Sequence, residues 1–171
     1  MATRKQHAAE QKPPSVDLDL RTEAPHGPLD PSQKRFDIFL IDSGWNHAIS
    51  EMVRKHLPLI YEYQKPDDLY LLTPEQSVEV LKHDKDLIGY DPTIVYYDRY
   101  GSGNYRGFRL NLGLLRNAEQ ALARLQEFIR FVAANRAAAN LQREVRRELH
   151  REGVEGIIKL LRETSTDLLM E

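Results

Sequence analysis

The rhythm of apolar and polar positions changes several times along this chain, and each change marks an element. Phe36–Ile41 is apolar on both faces: Phe36, Ile38 and Leu40 alternate with Phe39 and Ile41, and Asp37 is the one interruption. Strands covered on both sides read this way, which predicts the middle of a sheet with helices above and below. Ser43-Gly44 turns the chain. From Asn46 the spacing lengthens to three and four, so Ile49, Met52, Val53, His56, Leu57 and Ile60 form the inward stripe of a helix. Pro58 falls inside that stripe and predicts a kink or an early end.

Past Asp67-Asp68 the run LYLL predicts a second, short strand. Thr73-Pro74-Glu75-Gln76 is a strong helix start, because Thr73 can cap, Pro74 suits the first helical position and Gln76 can bond back to the cap. Val80, Leu81 and Leu87 turn inward, with Gly89 as the stop. Thr93–Asp98 is rich in β-branched and aromatic residues, as a strand should be. Gly101 and Gly103 make Arg99–Asn104 a hairpin loop. The returning strand alternates Phe108, Leu110 and Leu112 against Arg109 and Asn111, predicting a half-exposed edge partner antiparallel to Thr93–Asp98.

Asn117 and Gln120 cap a long helix whose inward face carries Ala121, Leu125, Phe128, Ile129 and Val132. The pattern continues through Leu141, Val145 and Leu149 to about His150, as one helix or two end to end. Gly153 and Gly156 break it, and Val154, Ile157, Ile158 and Leu161 predict a last amphipathic helical piece. Ahead of all this, residues 1–34 hold five prolines, mixed charges and scattered aliphatics. Such a stretch cannot bury enough apolar area to offset its ordering entropy, which predicts a disordered or loosely docked tail. Within it only Val16–Leu20 (VDLDL) alternates like a short strand. The expected divisions are therefore a tail over 1–34, a domain over 35–134 and a helical extension over 135–171.

Composition narrows the chemistry. A chain of 171 residues without cysteine has no disulfide framework, no thiolate metal site and no thiol nucleophile. A formal charge of -2 gives no reason to expect a polyanion across the whole surface. No apolar run approaches the roughly 18 residues a membrane span needs. Arg4-Lys5 is not followed by an apolar stretch, so no signal peptide is readable. These features lead to the expectation of a cytoplasmic protein with no membrane partner.

Over residues 36–132 the order is βαβαββα, with helical connections that imply two parallel crossovers before the hairpin. This order resembles the thioredoxin fold. Trp45-Asn46-His47-Ala48-Ile49 stands where thioredoxins carry Trp-Cys-x-x-Cys, and Asp91-Pro92-Thr93 stands where the family keeps a cis-proline followed by Thr. The resemblance covers a little over half of the chain. It implies a thioredoxin-like α/β sandwich and a peptide-binding groove formed by Trp45, Asn46, His47, Asp91, Pro92 and Thr93. Asn46 and Ile49 occupy both cysteine positions, so it also implies a redox-inactive member. KaiB-like clock proteins share the topology and lack the redox pair, but no motif here selects them.

Candidate chemistry beyond the groove is thin. His47 and Glu51 lie one helical turn apart with His56 on the same helix, short of the three or four convergent ligands a metal needs. The loop 101–107 lacks the Lys-Ser/Thr ending of a phosphate loop and leads into a strand. Residues 116–151 hold eight arginines against four glutamates. Glu144 and Glu148 interleave with Arg143, Arg146, Arg147 and Arg151 at helical spacing, which reads as a solvated face and disfavours nucleic acid. The stripe Leu141, Val145, Leu149, Ile157, Ile158 and Leu161 lies past the end of the resemblance, so self-association or partner docking is expected there and deletion of 140–171 should leave the domain folded. The expectation is a non-catalytic protein-binding module, an adaptor, assembly or regulatory factor without cofactor or metal. The alternative is an enzyme or a protein binding a thiol cofactor such as glutathione through Ser43, Asn46 or His47.

Overall fold

The computed structural model describes residues 29–100, 105–152 and 157–162. In chain order the elements are β1 (Phe36–Ile41), α1 (His47–Lys55), α2 (Leu57–Gln64), β2 (Asp68–Leu71), α3 (Pro74–His83), β3 (Thr93–Asp98), β4 (Tyr105–Asn111), α4 (Ala118–Ala134), α5 (Leu141–Glu152) and β5 (Ile158–Arg162). The expected caps form. Thr73 accepts from the Gln76 N–H while the Gln76 side chain accepts from the Thr73 N–H. Asn117 accepts from the Gln120 N–H. Pro58 divides the first helical stripe: α1 ends at Lys55, and α2 begins at Leu57 with the proline in its first turn, where its missing N–H does no harm.

The sheet is mixed, with strand order β2-β1-β3-β4-β5. β1 and β2 are parallel, whereas β3 pairs antiparallel with β1, so only the first of the two expected crossovers is parallel. The reason lies after α3. That helix stops at His83, and Asp84–Pro92 carries the chain back so that Thr93 pairs with Ile41 at the end of β1. Gly89, expected as the helix stop, instead takes a left-handed φ of 82° in this return loop.

One face of the sheet is covered by α1, α2, α4 and α5. Phe36, Ile38, Leu40, Ile94, Tyr96, Phe108 and Leu110 share a single core with Ile49, Val53, Ile60, Leu125, Ile129 and Leu141. At its centre Tyr96 and Phe108 stack at 5.2 Å while Phe128 meets both edge-on at 5.4 and 5.6 Å. The other face is covered by α3 and its return loop, where Ile41, Leu87, Val95 and Leu161 cluster with Phe39, Val80 and Leu81 beside them. β1 is thus covered on both sides, as its sequence implied.

The last third of the described chain departs from expectation. Ile158–Arg162 is a strand, antiparallel to β4, and not a helix. β4 is therefore interior, and even its polar Arg109 and Asn111 are buried. Leu141 and Val145 lie in the core with Leu161 buried on the other face, so these three members of the stripe pack against the chain's own sheet. Removing 140–171 would open both faces. Of the expected tail, residues 29–34 are anchored: the Leu29 N–H donates to the Ala137 carbonyl at 2.9 Å. Val16–Leu20 and the hairpin tip 101–104 lie outside the described residues.

Candidate functional site

The groove residues converge where β1 ends and β3 begins. Asp42, directly after β1, accepts from the Gly44 N–H at 2.9 Å and the Ser50 hydroxyl at 2.7 Å, and Arg54 lies 3.7 Å from its second oxygen. Gly44 takes a φ of 82°, which an L side chain would strain. This turn presents Ser43 to Asp91: both its N–H (2.8 Å) and its hydroxyl (2.6 Å) donate to one carboxylate oxygen. Asp91 is fully buried and its other oxygen has no hydrogen-bond partner. The Trp45 indole N–H donates to the Asp91 main-chain oxygen at 2.6 Å, and Asn46 caps α1 by accepting from the Ile49 N–H at 3.4 Å.

The Asp91–Pro92 peptide bond is cis. Around it, Leu112 N–H donates to the Pro92 carbonyl and Gly113 N–H to the Tyr90 carbonyl, each at 2.9 Å. A Cβ at Gly113 would lie 2.3 Å from the Asp91 oxygen, so glycine is required for this approach. The Thr93 hydroxyl donates to the Tyr90 carbonyl at 3.2 Å. The structure thus brings together Trp45, Asn46, His47, Asp91, Pro92 and Thr93 at one end of the sheet.

What this arrangement can do follows from what is already engaged. The carbonyls of Asp91 and Pro92 have intramolecular donors and proline has no N–H, so little main-chain hydrogen bonding is left for an extended peptide. The Ser43 hydroxyl and the Asn46 side-chain oxygen are held internally. His47 is open to water, with Glu51 3.9 Å away, and nothing orients it as a catalytic base. Among the described residues no group of His, Asp or Glu could hold a metal. What the end does offer is apolar surface. Trp45 is 55% exposed, and so are Ile88 (60%) and Leu114 (42%), whose chain neighbours Leu87 and Gly113 both hydrogen-bond to Tyr90. Ile88 and Leu114 escape sequence inspection because each lies at the end of a short 3-10 turn, outside any periodic stripe.

Among the described residues, no large apolar side chain of the C-terminal stripe is exposed. Leu141, Val145 and Leu161 are buried, Ile157 and Ile158 are half-buried, and the side chain of Leu149 lies outside the described residues. Arg147 pairs with Glu144 at 3.4 Å, one of the expected helix-face pairs.

The opposite end of the sheet holds a buried polar network with no counterpart in the sequence-based expectations. Arg35 donates from Nε (3.1 Å) and Nη2 (2.9 Å) to the two oxygens of Asp98, and from Nη1 to the carbonyls of Arg136 and Ala138. Arg136 forms a two-pronged pair with Asp67, whose Oδ1 also accepts the N–H groups of Arg35 and Phe36. Arg136 further reaches the carbonyls of Pro31 and Gln33, and Gln142 donates to Asp98 at 2.9 Å. Charged pairs of this kind hold position through geometry, since each charge is met by several partners. Between the ends, the Tyr96 hydroxyl is buried without a partner, and burial pushes its pKa up.

Comparison with protein-family models, with curated proteins and with solved structures finds no match to this chain.

Proposed function

We propose that the chain is a redox-inactive, thioredoxin-like protein-binding module whose docking surface is the end of the sheet around Trp45. Three features support the thioredoxin-like part. The strand order β2-β1-β3-β4 has β3 as the one member running against the others, α1 starts directly after β1, and Pro92 sits immediately before β3. With no cysteine in the chain, thiol–disulfide exchange is closed to such a site, which supports a binding role.

The observation that carries the docking surface is Trp45. A tryptophan 55% open to solvent yet fixed by a 2.6 Å bond to the Asp91 carbonyl is an anchor with its orientation already set. Anchors of this kind dominate protein–protein binding energies, and Ile88 and Leu114 widen the apolar contact. The test is affinity co-purification of the full chain, read by mass spectrometry, alongside Trp45→Ala and Leu114→Asp. A partner recovered with the wild type and lost with both variants supports the assignment. A partner retained by both variants places the docking surface elsewhere, and a chain that binds nothing overturns it.

A further inference from the structure

We propose that the recess between α4 and α5 is a peptide site, occupied by this chain's own Leu20-Arg21. Phe128 and Phe131 of α4, Val145 of α5, Leu110 of β4, and Ile157 and Ile158 where β5 begins line its apolar part. Leu110, Phe128 and Val145 are buried and the other three half-buried, around an open space of about 50 Å³. That size decides what fits. Sites for drug-sized molecules begin at roughly 300 Å³, whereas a single water takes up about 30 Å³ of the liquid. The recess therefore suits the tip of one aliphatic side chain, the part of a peptide that gains most from an apolar lining.

The rim adds charge. Glu127, Glu148 and Arg124 line it, two carboxylates to one guanidinium, and Arg124 lies 3.0 Å from Glu127. Arg143, Arg146 and Arg147 of α5 are exposed and take no part in the lining. An aliphatic residue seated here is best followed by a cation, which meets Glu148 at the lip.

Charge and reach then select the segment from the two stretches, 1–28 and 163–171, that flank the described chain. Residues 163–171 offer Leu168, Leu169 and Met170, but they carry Glu163, Asp167 and Glu171 and no cation, so their sign is wrong. In 1–28 the aliphatic positions Val16, Leu18 and Leu20 alternate, and of these only Leu20 is followed by a cation, Arg21. The described chain also begins beside the right helices. The Leu29 N–H donates to the Ala137 carbonyl at 2.9 Å, in the turn joining α4 to α5. From Ala137 to Leu141 the chain covers at most about 14 Å, and one helical turn brings Val145 about 6 Å further. The stretch from Leu29 back to Arg21 spans about 26 Å when extended, so Leu20 reaches the recess. Leu20 then fills the apolar space, Arg21 pairs with Glu148, and the segment ties α4 to α5 from outside.

Trypsin digestion of the full chain tests this, because cleavage tracks how often a site is undocked. In the wild type, cutting after Arg21 is expected to run at least about tenfold more slowly than cutting after Lys5. Glu148→Arg and Leu20→Ser, neither of which touches the buried core, are each expected to bring the two rates together. A cross-link tests the register: the chain has no cysteine, so Arg21→Cys with Glu148→Cys holds the sole pair of thiols. Oxidation is expected to close a bridge within one chain of 19.8 kDa. Equal rates at Arg21 and Lys5 in the wild type, or protection that survives both variants, overturns the proposal. A bridge that forms only between two chains overturns occupation by the chain's own segment, and the absence of any bridge overturns the pairing of Arg21 with Glu148.

Discussion

Where β1 begins, Arg35, Arg136, Asp67 and Asp98 are buried in mutual contact; where it ends, two buried carboxylates leave apolar side chains in water. Both ends rest on aspartates, but the aspartates do different things. Asp67 and Asp98 face arginines that also bind main-chain carbonyls, so they join the incoming chain, the end of α4 and the start of α5 to the sheet. Asp42 and Asp91 accept from backbone N–H groups and serine hydroxyls, and so shape loops. The first end is fixed on every side. The second is fixed from below, so Trp45 is exposed while its indole N–H stays bonded to the Asp91 carbonyl.

The sharpest way to break this contrast is to remove one member of the charged network. Arg35→Ala would leave Asp98 buried without its bidentate partner, and loss of one partner of a buried pair costs about 3–5 kcal/mol. Urea unfolding is expected to show that loss, and a change under about 1 kcal/mol would mean the end is not held by charge. Asp91→Ala should cost about 1–3 kcal/mol, because the Ser43 donors lose their acceptor. In that variant the fluorescence of Trp45, the sole tryptophan, should shift as its loop loosens, while the opposite end stays intact.

Tyr96→Phe acts between the ends and in the other direction. Deleting a buried hydroxyl that has no partner should be neutral or stabilising by up to about 1 kcal/mol. Burial holds that hydroxyl above its ordinary pKa of 10.0, so the unfolded chain releases its proton first as pH rises past that value. The fold therefore has full stability from this group below about pH 10 and loses it as pH climbs toward the folded-state pKa. Tyr96→Phe should blunt the alkaline fall in Tm; Tyr97, whose pKa is also raised by burial and then by Asp84, accounts for part of what remains. The smallest effect is expected from Trp45→Ala, under about 1 kcal/mol for one partly exposed hydrogen bond, although this is the variant that should abolish partner capture. A large stability loss there would make Trp45 a structural residue.

Much of this was legible along the chain. Pro58 marked the division of α1 from α2, Thr73–Gln76 marked the start of α3, and Asp91-Pro92-Thr93 marked the entry to β3, because each depends on local backbone chemistry. Direction and distant pairing were not. Nothing local tells β3 to run against β1; that depends on where Asp84–Pro92 delivers the chain. Ile157, Ile158 and Leu161 fit a helical stripe as well as a strand, and only the waiting edge of β4 decides between them. The charged network was hidden for a related reason. Arg35 and Arg136 look like ordinary surface residues until residues far apart in sequence are folded against them. Of the site, the loop residues were legible, and the apolar pair Ile88 and Leu114 was not.

The pairing of β4 with β5 has a consequence for synthesis. Tyr105–Asn111 emerges well before Ile158–Arg162, with α4 and α5 made in between. Until that last strand exists, Phe108 and Leu110 belong to an open border and the aromatic stack around Tyr96 lacks its neighbouring strand. The growing chain therefore passes through an interval in which β4 is an open, apolar border. A message cut short before codon 158 should yield an aggregating product, not a smaller working one.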